Sequence, residues 1–360
     1  MDQKKVIVGM SGGVDSAVAA LLLKEAGYEV VGLTLRTWVS STGEESRCCK
    51  IDSARAVCRK IKIPYYTLNC LQDFEEKITQ PFVRCYCNGM TPNPCVLCNR
   101  LIKWQHLLHM ADILGAEYVA TGHYARILPV KNGRLTVQQA AFGEKDQSYM
   151  LYRLTQEQLA RTLMPLGRFS KKEVREIASQ AGLPDAQKPD SQEICFVTGG
   201  RSYADYIQEN ADISLPGEGN FIDENGKVLG RHKGIIHYTV GQRKGLGLAL
   251  GTPAYVKKIC AETNEVMLGK EEALFSRVVL CEDLNYMSIP ELQEGEGIDA
   301  TVKIRYHHKG EKATVVKDGK DGARILFDIP VKAATPGQSA VFYDENRCII
   351  GGGIIRDVVF

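Results

Sequence analysis

The chain has 360 residues, of which 44% are hydrophobic and 24% charged, with a net charge of +2 at pH 7. That length predicts two or three domains, and the composition is that of an ordinary globular protein. The near-balanced charge excludes a whole-molecule pull toward nucleic acid, so any basic surface must be local.

No charged start with an apolar stretch behind it opens the sequence, and no apolar run approaches the roughly 18 residues of a membrane span. A cytoplasmic location without a membrane partner is expected. Twelve cysteines are many for such a protein. Their spacing is not that of a small disulfide scaffold, and the chain is long enough to build real cores. Reduced thiols with a catalytic or metal-binding subset are expected instead.

In chain order, Val6–Met10 reads as a buried strand and Ser16–Ala26 as a helix closing at Gly27. Glu29–Leu35 reads as a strand, Asp52–Lys62 as a helix and Ile63–Leu68 as a strand. Leu101–Leu114 is apolar at helical spacing, and Glu117–Thr121 is a strand ending in Gly122-His123. This alternation predicts an α/β fold with a doubly wound parallel sheet, whose ligands lie at the carboxyl ends of the strands. The pattern changes near Arg201 and breaks at Leu215-Pro216-Gly217.

Between Asn225 and Gly251 there is no acidic residue, whereas Lys227, Arg231, Lys233, Arg243 and Lys244 all occur. This glycine-rich basic strip suits RNA, and a solvated loop is the plainer alternative. After about Ala273 come six short alternating runs: RVVLCED, IDATVKIRY, KATVVK, ARILFDI, SAVFYDE and CIIGGGIIRDVVF. They predict a small antiparallel β-barrel. The expected domains are 1–200, 201–272 and 273–360.

The junction VIVGMSGGVDSAV places a turn between the first strand and helix. Ser11-Gly12-Gly13 can turn without Cβ clashes, so successive backbone N–H groups converge on an anion, and the helix N-terminus adds positive charge. The Lys of the usual nucleoside-triphosphate loop is missing. A pyrophosphate unit that leaves whole therefore fits better than γ-phosphoryl transfer. Asp15 is expected to cap the helix or help place Mg²⁺.

Cys95 and Cys98 form a CxxC in TPNPCVLCN, and Cys195 lies in DSQEICFV. Pro92 and Pro94 are expected to keep the pair on a rigid loop leading into the helix at Leu101, where the helix terminus favours the thiolate. CxxC by itself fits a redox pair, half a zinc site or part of an iron–sulfur site. No second CxxC or HxxxH follows at zinc-finger spacing, which disfavours a closed structural zinc. Cys48, Cys49, Cys58, Cys70, Cys85 and Cys87 are expected to fill core or loop, with Cys85 and Cys87 the best exceptions. Cys260, Cys281 and Cys348 read as core.

The signature SGG-x-D-S resembles the PP-loop ATP pyrophosphatases. With TPNP-x-x-x-CN, ATGHYAR, KDQSY, SQ-x-ICF, HYTVGQRKGLG, RY and TPGQSAVFY in that order, nearly the whole chain resembles the tRNA-specific 2-thiouridylase MnmA (TrmU) family. The resemblance implies an enzyme that adenylates the wobble uridine of tRNA with ATP and Mg²⁺ and inserts sulfur at C2. It puts the nucleophile at Cys98 and a persulfide on Cys195, the two forming a disulfide after transfer. Some family members carry Asp where this chain has Cys95. With Cys95 in that place, three thiolates are available for a [4Fe–4S] cluster with one open iron, an alternative to the persulfide route.

The same resemblance places Gly9, Met10, Ser11, Gly12, Gly13, Val14, Asp15, Ser16, Leu35 and Gly122 against the nucleotide. Asn93, Pro94 and Cys95 are expected near a flipped uridine, since C2 of a stacked base is out of reach. His123, Lys145, Asp146, Gln147, Arg305, Tyr306 and Gln338 are expected to contact tRNA. A cysteine desulfurase or sulfur-relay partner is implied, the tRNA set would be those for Lys, Glu and Gln, and a monomer is expected. Two alternatives are an amidating synthetase on the same loop and a non-catalytic RNA-binding protein. The first leaves Cys95, Cys98 and Cys195 without a task, and the second leaves SGGVDS without one.

Overall fold

The computed structural model describes residues 3–40, 43, 45, 46, 48–184 and 194–360. Two compact units are present: Met1–Ile78 with Pro94–Gly200 and Arg347–Ile349, and Thr79–Asn93 with Arg201–Asn346 and Ile350–Phe360.

The first unit is built on a five-stranded sheet. Its strands are β1 (Lys5–Gly9), β2 (Glu29–Arg36), β3 (Tyr65–Asn69), β4 (Tyr118–Ala120) and β7 (Thr162–Leu163), in the order β3-β2-β1-β4-β7. Every pairing is parallel, with Ile7 opposite Val31 on one side and Val119 on the other. A central parallel strand is covered on both faces, and Val6, Ile7 and Val8 are fully buried. The expected doubly wound α/β sheet is what forms. Two further strands, β5 (Ala125–Pro129) and β6 (Leu135–Gln139), make a separate antiparallel hairpin that the sequence reading did not anticipate.

Helix α1 (Val14–Glu25) follows the turn after β1. Its buried residues include Ala17, Val18, Ala19 and Ala20 on adjacent positions, because the helix is flanked by the sheet and by the helix Lys171–Gln180. Small side chains let those backbones approach closely, and each larger buried side chain, such as Leu23, contributes about 1.5–3 kcal/mol. Helix α2 (Ile51–Ile61) packs Ala54, Val57, Cys58 and Ile61 into the same core.

The second unit holds a four-stranded sheet of Tyr255–Cys260, Glu265–Gly269, Gly219–Ile222 and Val228–His232, in that order. The sequence reading saw only a glycine-rich basic stretch there, since these strands are short and interrupted by turns. A closed six-stranded barrel completes the unit, in the order Phe275–Tyr286, Ala323–Lys332, Glu311–Lys317, Gly297–Lys303, Ser339–Tyr343 and Ile349–Val359. Its pairings are antiparallel, and inward residues such as Val279, Val302, Val315, Ile325 and Phe342 form one core. All six alternating runs are barrel strands. Among the described residues no helix is long and apolar enough to cross a membrane.

Candidate active site

The turn after β1 is held open by its own polar groups. Ser16 Oγ donates to the Gly13 carbonyl at 3.0 Å and lies 3.3 Å from the Ser11 backbone N–H, which donates to it. The Gly13 N–H donates to Ser11 Oγ at 3.3 Å. Gly12 has φ +77°, and a Cβ there would meet the Lys50 carbonyl oxygen at 2.6 Å, so only glycine fits. Gly122, at the carboxyl end of β4, is equally constrained: its Cβ would lie 2.7 Å from both the Asp15 carbonyl carbon and the Ser16 nitrogen. The ends of β1 and β4 thus converge on the first turn of α1, where a doubly wound sheet takes its ligands.

Asp15 does not cap this helix. The N-cap is Gly13, with no side-chain cap, and Asp15 lies inside the first turn. Its carboxylate accepts from Lys171 Nζ at 2.8 Å on each oxygen and from Tyr124 Oη at 2.7 Å. Lys171 opens a helix whose capping box is built by Ser170 and Glu173. A lysine there opposes the helix dipole, and Asp15 offsets that cost. Neither Lys171 nor Tyr124 was anticipated, because they lie 156 and 109 residues away from Asp15 in the chain.

The cysteine pair is not on a loop. Pro94 is the first residue of the helix Pro94–Cys98, which runs on through Asn99–Trp104 and Gln105–Leu114. Proline lacks the N–H that a helix cannot use in its first turn, so it starts this helix where it was expected to bar one. Nor is either thiol biased toward thiolate: burial raises Cys95, and pushes Cys98 up to about 12, with Lys103 opposing both.

Lys103 is the unanticipated centre of the site. Burial works against its charge, but the thiols of Cys98, Cys48, Cys95 and Cys195 together raise its pKa. Its ammonium donates to Asn99 Oδ1 at 2.9 Å. The structure therefore gathers the three predicted cysteines and adds Cys48, which lies in a loop. The Cys195 thiol lowers the pKa of Cys48, and Cys48, with burial, raises that of Cys195. A cation lying within an apolar helical run, as Lys103 does beside Ile102 and Trp104, was the available sequence signal.

Cys49 differs from its neighbour. Fully buried, it donates to the Leu35 carbonyl at 2.8 Å, with Ser46 Oγ at 2.9 Å and Thr37 Oγ1 at 3.0 Å. The next residue, Lys50, donates its backbone N–H to the Ser11 carbonyl at 3.2 Å. One short segment thus joins the cysteine cluster to the phosphate-type loop. Cys58, Cys70, Cys281 and Cys348 are buried as expected, whereas Cys260 is half-buried and Cys85 and Cys87 belong to the second unit.

Other predicted residues are engaged internally. His123 Nδ1 is 2.7 Å from Thr121 Oγ1, and burial, then Lys103, push its pKa down to about 3. Asp146 accepts from the Ala140 N–H at 3.0 Å and from Ser148 Oγ at 2.8 Å. Gln147 Oε1 accepts from the Tyr124 N–H at 3.0 Å, and Lys145 ends a short 3-10 turn just before them. In the second unit, Arg305 donates to the Lys332 carbonyl at 3.0 Å and Gln338 to the Thr91 carbonyl at 2.8 Å. Tyr306 packs edge-on to His307, and Asn93 closes the segment before Pro94. Ser191 and Gln192 of the SQ-x-ICF motif lie outside the described residues.

Three family models match consecutive stretches. These are a tRNA methyl transferase HUP domain over residues 4–199, a tRNA methyl transferase PRC-barrel domain over 205–270 and an aminomethyltransferase beta-barrel domain over 276–355. Full-length relatives carry one name. The tRNA-specific 2-thiouridylase MnmA of Lachnoclostridium phytofermentans is 48% identical, covering 98% of this chain and 100% of its own. That of Acetivibrio thermocellus is also 48% identical, over 99% and 100%, as is tRNA-specific 2-thiouridylase MnmA 1 of Clostridium tetani, over 99% and 98%. The chain belongs to the tRNA-specific 2-thiouridylase MnmA family. Two of the family models have a methyl-transfer description, but a cluster of thiols about an ammonium is sulfur chemistry, which agrees with the name of the thiouridylase relatives.

Proposed function

We propose that this thiouridylase-family chain is an ATP-dependent tRNA sulfurtransferase that converts the wobble uridine to 2-thiouridine. The observation that carries the reading is the continuity from the Ser11–Gly13 turn, through Lys50 and Cys48, to Cys195, Cys95 and Cys98 around Lys103. Activation and sulfur delivery then share one α/β unit.

In this reading the backbone from Gly9 to Ser16, with Leu35 and Gly122, holds ATP and its Mg²⁺. Uridine O2 attacks the α-phosphorus, pyrophosphate leaves, and sulfur at C2 displaces AMP. Asp15 and Lys171 fix the first turn of α1 and so keep its N–H groups aimed at phosphate. Asn93, Pro94 and Cys95 face the flipped base. Residues 1–200 carry the chemistry, 201–272 and 273–360 grip tRNA, and His123, Lys145, Asp146, Gln147, Arg305, Tyr306 and Gln338 supply contacts. A cysteine desulfurase or relay protein delivers sulfur to Cys195, in the cytoplasm, to a monomeric enzyme.

Cys95, Cys98 and Cys195 have the chemistry for a [4Fe–4S] cluster. These three thiols are the side chains that would hold it, and no step is derived through it. A persulfide on Cys195 is the other route open to the same residues.

The reading is tested by pyrophosphate release from ATP with and without an unmodified glutamate tRNA. Release that depends on tRNA and persists in C195S, while thiolated product disappears, is the expected result. Release indifferent to tRNA counts against uridine activation.

A further inference from the structure

We infer that Gly337 and Gln338 are positioning residues, which seat the base-facing segment 91–93 on the barrel loop 335–338. The inference deepens the sulfurtransferase reading above and rests on it. Thr79–Asn93 belongs to the same compact unit as the barrel, although the helix of Cys95 and Cys98 begins at the next residue. Thr91 is held there by its backbone on both sides. Its N–H donates to the Pro336 carbonyl at 2.8 Å, and its carbonyl accepts from Gln338 Nε2 at 2.8 Å. Its own hydroxyl is buried with no hydrogen-bond partner among the described residues, so the barrel loop does the holding.

The loop itself has little freedom to shift. The Gly337 N–H donates to the Ile355 carbonyl and the Ile355 N–H to the Gln338 carbonyl, both at 2.8 Å, which ties the loop to the last barrel strand. The Gln338 N–H donates to the Thr335 carbonyl at 3.1 Å and closes the turn. Gly337 has φ +91°, and a Cβ there would lie 2.9 Å from the Thr91 nitrogen and 3.0 Å from its carbonyl carbon and oxygen. Two backbones thus meet with no side chain between them, a contact that only glycine allows.

Thr91 passes its position on because the chain after it is stiff. Pro92 fixes its own φ and restricts Thr91, and Pro94 restricts Asn93 in the same way. Few torsions of Thr-Pro-Asn-Pro remain soft, and two residues span at most about 7 Å. A shift of the Thr91 amide therefore reaches Asn93 nearly undiminished. Asn93 faces the flipped base in the reading above, so the barrel loop sets base placement, a task separate from binding tRNA.

The experiment compares the full chain with G337A and Q338E, each given ATP, Mg²⁺, cysteine, a cysteine desulfurase and an unmodified glutamate tRNA. G337A adds only a methyl group against Thr91. Q338E keeps the shape of the side chain but sets a carboxylate against the Thr91 carbonyl. Both should lower kcat for 2-thiouridine formation at saturating tRNA by about ten- to a hundredfold, as a small misplacement of a reacting group does. G337A should leave tRNA affinity unchanged in filter binding, a split that general loss of structure would not give. Amide hydrogen exchange over residues 88–93 should quicken in both variants, a readout that needs no catalysis. Parent values of kcat and exchange in both variants, or a Q338E chain that loses only tRNA affinity, overturn the proposal. Q338E decides the matter where G337A folds poorly. A parent chain that thiolates no tRNA overturns the sulfurtransferase reading itself, an outcome distinct from parent activity retained by both variants.

Discussion

Gly122 has no side chain because the first turn of α1 leaves no room for one: a Cβ there would lie 2.7 Å from the Ser16 nitrogen. Gly122→Ala must push that turn away from the strand ends, an overpacking worth about 1–3 kcal/mol. We expect tRNA-dependent pyrophosphate release to fall by about tenfold in this variant, beyond what a urea midpoint accounts for. Unchanged release would remove the nucleotide from this turn. At His123 the ring is neutral in the fold, with burial and Lys103 holding its pKa near 3, below an unfolded value of about 6.5. A depressed folded pKa gives stability that is present above about pH 6.5 and drains away as pH falls toward about 3. His123→Asn should therefore lose less stability than the parent between about pH 7 and pH 4.5 in urea unfolding. An equal loss in both would mean the ring is not held neutral. Local residue chemistry of this kind was half legible in the sequence. Gly12 announced itself beside Ser11, whereas the charge of Lys103 had meaning only once Cys48 and Cys195 from distant segments joined the two thiols of its own helix around it.

At the scale of elements, strands declared themselves most clearly. The apolar run around Ile7 and the six alternating runs at the carboxyl end became sheet and barrel strands, because burial on one or both faces writes directly into residue pattern. Short strands between turns, such as Val228–His232, carried too few residues to show a period. The helix at Pro94 shows a different failure, in which a residue read as a barrier serves as a start signal. That helix start fixes Cys95 and Cys98 on the same rigid element as Lys103. The helix Lys171–Gln180 is likewise bound to the loop by one ion pair, Lys171 to Asp15. Lys171→Met should cost about 1–2 kcal/mol in urea unfolding, since it strands a carboxylate that Tyr124 alone cannot satisfy. A loss indistinguishable from zero would mean that solvent already satisfies Asp15.

For the whole molecule, a net charge of +2 leaves RNA binding to local surfaces. Lys227, Arg231, Lys233, Arg243 and Lys244 are all exposed, although Arg231 also lies 3.7 Å from Glu218. If Arg243 and Lys244 meet phosphate, replacing both with alanine should lower the slope of log affinity against log salt by about 0.7–0.9 for each phosphate no longer neutralised. An unchanged slope assigns the strip to solvent. The central claim is that activation and sulfur delivery share the unit containing Gly12, Gly122 and the Lys103 thiols. Its most direct test is nucleoside mass spectrometry of an unmodified glutamate tRNA after incubation with the full chain, ATP, Mg²⁺, cysteine and a cysteine desulfurase. The account predicts 2-thiouridine at the wobble position with the parent chain and none with C195S. Uridine left unmodified by the parent chain, or thiolated equally by C195S, would contradict it.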